Sequence, residues 1–329
     1  MADKTRGWGG DAKPRKLFQR KLLAWYEGSH RDLPWRQTHD PYRIWISEIM
    51  LQQTRVAAVI SHYHRFLRRF PTIYKLASAR ESSVLAAWSG LGYYRRARML
   101  HTAAKKVVRE FAGEIPNSRE QLMGLPGIGR YTSAAIASIA YGQPVAVVDG
   151  NIRRVLERLV GRPMLEQQLW RTAEQLLSRE SPGDFNQALM ELGAVICIPR
   201  DPKCSSCPVA SQCITRGSLS KIANGTRQKK LTMWCALNCR NGSVFLVKRP
   251  EEAPLMPGLW ELPEVAADQG VDSSSFTLRH SITVTDYTVR VTREPISGNS
   301  SGRWVKNNRV ATLPLTGLAR KILRTANVI

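Results

Sequence analysis

A mostly helical region followed by a small mixed α+β domain is the architecture this sequence predicts, and three observations predict it. Apolar residues recur at helical spacing from about Pro14 to Arg216. A polar, basic stretch without period follows. After Lys230 the texture turns to alternating, β-branched segments. A chain of 329 residues is long for one core, which also favours two domains.

The helical part rests on "LFQRKLLAWY", "VAAVISHYHRFLRRF", "SVLAAWSGLGYYRRARMLHTAAKKVV", "YTSAAIASIAYG" and "LWRTAEQLLS". Gly and Pro punctuate the joins at "RFPT", "GEIPNS", "LPGIG" and "SPGDF". "TRGSLSKIANGTRQKK" reads as a linker. Strands are predicted in "LTMWCALNC", "SVFLVKR", "SITVTDYTVRVT" and "GRWVKN", with a final helix in "LTGLARKIL".

The formal net charge of +23 favours a polyanionic partner, nucleic acid before an anionic membrane surface. No run of eighteen apolar residues exists, so no helix is expected to span a bilayer. "MADKTRGWGGDAKPRK" lacks the apolar segment of a secretory signal, so a cytoplasmic, nucleic-acid-facing protein is the expectation. In that compartment the six cysteines point to metal ligation rather than disulfides. Cys197, Cys204, Cys207 and Cys213 have the spacing C-x6-C-x2-C-x5-C, which suits either a tetrahedral zinc or an iron–sulfur cube. Arg200 and Lys203 in the intervening loop could offer cations to a phosphate. Cys235 and Cys239 lie apart and read as structural thiols. His62 and His64, two positions apart on a helix, make a poor metal pair.

"IWISEIMLQQT", residues 44–54, reads as a buried helix interrupted by one acid. Three and four positions from Glu48 stand Ile44, Trp45, Leu51 and Gln52, none of them a cation. Either the acid points to solvent, or it is held partly dry for chemistry. Apolar neighbours would raise its pKa toward neutrality. Further on, Gly127 and Gly129 form a Gly-x-Gly turn between helices that could aim backbone N–H groups at a phosphate, or could be a plain helix–helix turn. Asp149, twenty residues beyond Gly129, closes an apolar run and opens a helix. It reads as an N-cap, and a capping carboxylate is also an oriented one. Tyr131 stands where a nucleophilic lysine would suit lyase chemistry. A tyrosine forms no Schiff base, which disfavours strand cleavage through this residue.

With "RDLPWR", "PYRIWISEIMLQQTRVAAVI", "WSGLGYYRRAR", "LPGIGRYTSAAI", "VVDGNIRRVLERL", "FNQALMELGA" and the cysteine spacing in this order, residues 14–216 resemble the helix-hairpin-helix DNA glycosylases, specifically the adenine DNA glycosylases (the MutY family). The resemblance implies two helical lobes and a [4Fe–4S] cluster on the 197–213 loop. It also implies a basic linker at 217–230, and at 231–329 a Nudix-like lesion-recognition domain, matched by "VFLVKRPEEAPLMPGLWELPEV". Nothing after that piece resembles the acidic metal-binding helix of Nudix hydrolases, which argues against pyrophosphatase activity. The family's Phe-Ser-His triplet, on a loop that touches 8-oxoguanine, has its nearest equivalent in Arg279-His280-Ser281, a departure from the pattern.

Function follows from the resemblance as expectation: a monomeric, nucleoid-associated enzyme that binds double-stranded DNA and excises adenine mispaired with 8-oxoguanine or G, with no membrane partner. Glu48 would protonate the extruded adenine and Asp149 would stabilise the sugar cation, with Tyr131 and Asn151 supporting the two by hydrogen bonding. Arg31, Trp35 and Gln187 are candidates for the adenine pocket, although Trp35 also suits a core and Arg31 a surface. Gln53, Thr54, Leu91 and Tyr93 would contact or wedge the duplex. His280 and Ser281 would face the opposing base. Tyr93 and Tyr94, followed by Arg95, Arg96 and Arg98, read as an aromatic and cationic patch. The alternatives are a thymine or uracil mismatch glycosylase on the same scaffold and a non-catalytic iron–sulfur DNA sensor.

Overall fold

The computed structural model describes residues 12–217, 229–266, 274–282, 285–293 and 302–329. Helices α1 (Ala12–Ser29), α2 (Pro41–Leu51), α3 (Val56–Arg69), α4 (Ile73–Ala77), α5 (Glu81–Trp88), α6 (Arg95–Glu110), α7 (Arg119–Met123), α8 (Arg130–Tyr141), α9 (Gly150–Val160), α10 (Glu166–Leu176) and α11 (Pro182–Val195) follow one another along the first part of the chain. Most of the segment read as a linker lies outside the described residues, as does most of the N-terminal stretch read as lacking a secretory signal. Among the described residues, no helix is long and apolar enough to cross a membrane.

The chain forms two compact units that are not consecutive in sequence. One gathers the described residues 12–53 and 106–217; the other gathers 54–105 and the described residues from 229 on.

In the first unit, α8 packs against α2, α7 and α11, and α11 also packs against α1 and α9. Local chemistry sets the helix ends. Asp40 caps α2 through Oδ1, accepting from Tyr42 N at 2.8 Å and Arg43 N at 3.3 Å, with Pro41 in the first turn, where a missing N–H costs nothing. Gly142 and Gly161 end α8 and α9 in left-handed conformation, with φ of 64° and 77°. Tyr42 and Ile44 to Met50 are all buried, so α2 is enclosed almost all round. The Ala- and Ser-rich run from Thr132 to Ile139 in α8 is buried as well, and its small side chains allow close helix approach. Phe18, Leu22, Trp45, Ile46, Met50, Ile136 and Phe185 are fully or almost fully excluded from solvent.

In the second unit, α3 packs on α5, with the Phe66 ring meeting Trp88 edge-on at 5.8 Å. The C-terminal region is strand-rich: β1 (Lys229–Ala236), β2 (Cys239–Arg240), β3 (Ser243–Lys248), β4 (Trp260–Glu261), β5 (Glu264–Val265), β6 (Ser274–Ile282), β7 (Thr285–Thr292) and β8 (Gly302–Lys306), then α12 (Asn307–Val310) and α13 (Gly317–Thr325). One sheet has the order β5-β1-β7-β6, with β1 and β7 parallel; the other joins β2, β3 and β4, and β8 pairs with β3. Val244, Leu246, Val289 and Val291 share a core with Ile322 and Leu323 of α13. The segment "SITVTDYTVRVT", read as one strand, spans the end of β6 and all of β7.

Candidate active site

Glu48 lies within the most buried helix of the first unit and is 6 % exposed. Burial pushes its carboxyl up to about 7; a hydrogen bond from Tyr131 opposes that shift, and the nearby charge of Asp149 reinforces it. The two carboxyls are therefore close enough to feel each other. Tyr131 sits in the first turn of α8, directly after the glycine hairpin, and its hydroxyl oxygen lies 3.2 Å from Met190 Sδ on α11, the alternative acceptor for its single proton. Burial raises the Tyr131 pKa well above the ordinary phenol value, so it serves as a hydrogen-bond donor.

Asp149 is the N-cap of α9: its Oδ1 accepts from Ile152 N at 2.7 Å, and its Oδ2 accepts from Asn151 Nδ2 at 3.3 Å. Burial raises its pKa, while these donors and the charge of Arg154 work to keep it ionised. Arg154 in turn holds Asn151, donating to its Oδ1 at 2.8 Å, and donates to Gly193 O at 2.7 Å and Cys197 O at 2.8 Å. Gly193 of α11 touches this arrangement from below. A Cβ there would stand 2.7 Å from Asn151 Cβ and 3.0 Å from Asn151 O.

Arg31 is engaged by an acid that sequence reading did not single out. Its Nε and Nη2 donate to Glu191 Oε1 and Oε2 at 2.8 and 2.7 Å, and Arg36 Nη2 adds a bond to Oε2 at 2.8 Å. Burial alone would push the Glu191 carboxyl up, but these two guanidinium groups hold it down at about 2. Gln187, four residues earlier on the same face of α11, is 8 % exposed, and Trp35 is 6 % exposed.

The remaining candidates divide. Gln53 ends the α2 region with φ of 55°, and Gly127 has φ of 80°, so the hairpin requires glycine there. Gly129 is extended and caps α8, with open space where a Cβ would project. In the second unit, Thr54 Oγ1 accepts from Arg96 Nη2 at 3.1 Å. Tyr93 is exposed with φ of 48°, and Arg96 stacks over both the Tyr93 and Trp88 rings at 5.4 and 5.5 Å. Leu91 is buried, and so is Tyr94. The expected patch therefore shrinks: Tyr94 faces inward, and Arg98 is bound to Glu81 at 3.0 Å and to Pro257 O at 2.8 Å. Arg279, His280 and Ser281 lie within strand β6 rather than on a loop, with His280 opposite Tyr287 and Ser281 opposite Asp286 of β7.

Cys197, Cys204, Cys207 and Cys213 line one cavity together with the side chains of Arg158 and Arg216. Buried Arg158 donates to Cys197 Sγ at 3.3 Å and to Ile198 O and Pro199 O at 2.7 and 3.0 Å. Among the described residues, no three thiol, imidazole or carboxyl groups converge as the ligand set of a single metal ion. Cys235 is buried in the β1 sheet and Cys239 is exposed, both apart from the cavity.

Comparison with known proteins gives this geometry its context. The family model for the HhH-GPD superfamily base excision DNA repair proteins matches residues 46–178. The adenine DNA glycosylase of Mycobacterium tuberculosis is 44% identical over 203 residues, 60% of this chain and 67% of that protein. The chain belongs to the adenine DNA glycosylase family. The human member is 49% identical over 313 residues, 75% of this chain and 57% of its own length. The chain spans about half the length of the curated relatives it matches, 57% of the human protein and 49% of that of Arabidopsis thaliana. A solved thermostable thymine-DNA glycosylase is similar at 34% identity and a TM-score of 0.58, covering 62% of this chain and 97% of its own. An endonuclease III–DNA complex shares the fold at 22% identity and a TM-score of 0.55.

Within this family framework, Glu191, Met190, Arg154 and Gly193 are the residues that sequence reading passed over. For Glu191 a signal was present: "FNQALMELGA" places Gln187 and Glu191 four apart, on one face of a helix that is otherwise apolar there. It is the same signal that singled out Glu48.

Proposed function

We propose that this chain is a monofunctional glycosylase that removes adenine mispaired with 8-oxoguanine or G from double-stranded DNA. One observation carries the reading: a buried carboxyl raised to about 7 beside a second, N-capping carboxyl that burial also raises but that backbone donors, the Asn151 amide and Arg154 work to keep ionised. Groups poised this differently are suited to acid and anion roles at one pH. The target nucleotide must leave the duplex to be reached. Glu48 then gives its proton to adenine N7, the C1′–N9 bond breaks with its electron pair going to the base, and the sugar is left with positive charge. Asp149 stabilises that cation until water adds to C1′ and gives up its proton to the Glu48 carboxylate, which restores the acid. The Tyr131 hydroxyl orients Glu48, and the Asn151 amide orients Asp149.

The four cysteines fit a [4Fe–4S] cluster better than one zinc ion. They line one cavity with mostly apolar neighbours, and four thiolates are the complete donor set of such a cluster. When bound, the cluster would tie the 197–213 loop, with Arg200 and Lys203, into one rigid surface for phosphate. The strand-rich C-terminal region is read as Nudix-like and as the reader of the opposing base, with His280 and Ser281 the nearest side chains in sequence to that role.

Base release under single-turnover conditions from duplexes carrying A:8-oxoG, A:G, T:G and U:G, followed by alkali to cut abasic sites, tests the reading. Release of adenine, fastest opposite 8-oxoguanine, is expected. The likeness to a thymine-DNA glycosylase gives a second reading, which preferential release from T:G would establish instead.

A further inference from the structure

In the second unit, the turn that carries Tyr93 is tied on both sides to one backbone carbonyl of the C-terminal region. Ser89 Oγ donates to Leu315 O at 2.8 Å, and Tyr94 OH donates to the same oxygen at 2.6 Å. Arg320 Nε on α13 donates to Ser89 Oγ at 2.9 Å, and His62 Nε2 meets Ser89 O at 3.2 Å. Ser89 and Tyr94 are 3 % and 4 % exposed, so these bonds form away from water, where losing one partner leaves a costly orphan. The accepting segment is itself fixed. Thr316 N donates to Trp260 O and Trp260 N to Pro314 O, each at 2.9 Å, and Thr316 caps α13.

Between the two anchors the backbone takes an unusual path. Gly90, Gly92 and Tyr93 have φ of 105°, 74° and 48°, and Tyr93 is 50 % exposed. A tyrosine in left-handed conformation persists only where its surroundings over-determine it. Trp88 Nε1 and Arg96 Nη2 hold Gly92 O locally at 3.2 and 3.3 Å, and the two anchors add a residue more than two hundred positions away in sequence, as the Ser89–Leu315 and Tyr94–Leu315 separations of 226 and 221 show.

We propose that Ser89, Tyr94 and Arg320 are positioning residues through which the C-terminal region holds Tyr93 in the conformation that enters the duplex beside the lesion. The proposal rests on the DNA glycosylase reading above. It gives the C-terminal region a mechanical part in the helical wedge, separate from any contact of its own with the opposing base. Without the clamp, the turn must be ordered at the moment of binding, and affinity falls by that cost.

The test is a double-mutant cycle with the full chain, measuring dissociation constants for an A:8-oxoG duplex in an Asp149→Asn background that prevents turnover. Tyr94→Phe is expected to weaken binding by about fivefold to tenfold, and Tyr93→Ala by at least as much. In the Tyr93→Ala background, Tyr94→Phe is expected to change binding by less than about twofold. Arg320→Met, which keeps most of the side-chain stem, provides a second route should Tyr94→Phe fail to fold. A Tyr94→Phe loss that persists undiminished beside Tyr93→Ala would overturn the proposal, because it would mark a structural role alone. Wild-type affinity in Tyr93→Ala would overturn it too, by removing the wedge. Base release from A:8-oxoG by the wild-type chain separates either failure from failure of the glycosylase reading.

Discussion

Glu48→Gln keeps the shape of the side chain and removes its proton chemistry, so it should cost activity and gain stability in a pH-dependent way. The folded carboxyl is raised from 4.5 to about 7 by burial among apolar side chains and by the charge of Asp149. At about 1.4 kcal/mol per pKa unit, that is about 3 kcal/mol of differential stability. The raised value means that the folded protein binds the proton more tightly than the unfolded chain. The associated stability is thus fully present below pH 4.5 and is lost as pH rises through 7. A neutral glutamine carries no such penalty. Glu48→Gln should exceed the wild type by under about 1 kcal/mol near pH 5 and by up to about 3 kcal/mol near pH 8.5, several degrees in melting temperature for a unit of this size. Base release should fall by roughly 10²–10⁴ for loss of a general acid, and wild-type release should decline about tenfold per pH unit above 7. Thermal and urea unfolding of both proteins across pH 5–8.5, paired with single-turnover release, reads both effects. A stability difference that does not change with pH, or wild-type rates in the variant, would refute a buried, proton-holding Glu48.

Asp149→Asn should retain its fold, because the amide oxygen can still accept from Ile152 N, while base release drops by roughly 10²–10³ for loss of the anion facing the sugar; circular dichroism and single-turnover kinetics check the two halves. Glu191→Gln should destabilise the protein by about 3 kcal/mol at pH 7, since it strips the fully buried carboxylate partner from largely enclosed Arg36 and from partly exposed Arg31. The Glu191 carboxyl is lowered to about 2, so its contribution is present above 4.5 and lost as pH falls through 2, and urea unfolding at pH 7 and pH 3 should show the gap narrowing. Cys204→Ser should lose the visible iron–thiolate absorbance and weaken duplex binding; equal iron content in variant and wild type would remove Cys204 from the ligand set.

What the sequence revealed of this site depended on contrast. Glu48 stood out because a lone acid in an apolar helix is anomalous, and Asp149 because it joins an apolar run to a helix start. Glu191 sits in a comparable setting, but its meaning comes from Arg31 and Arg36, 160 and 155 positions upstream, and no local pattern reports such partners. Tyr93 and Tyr94 are adjacent and chemically alike, yet one is half exposed, with positive φ, and the other is buried, its hydroxyl bound to Leu315 O. The strands were legible as alternating segments, whereas the parallel pairing of β1 with β7 was not, since register is decided by tertiary packing. The grouping of residues 54–105 with the C-terminal strands is likewise invisible along the chain, where helical texture runs unbroken through the boundary.

Gly193 carries no reactive atom, yet Asn151 rests directly where its side chain would stand. One methyl group added at that point would lift the amide that steadies Asp149, leaving every acid, thiol and phenol in place. A substitution that looks conservative can thus disturb the site. Judging such variants means asking what each new atom would press against, as well as whether the altered residue meets DNA.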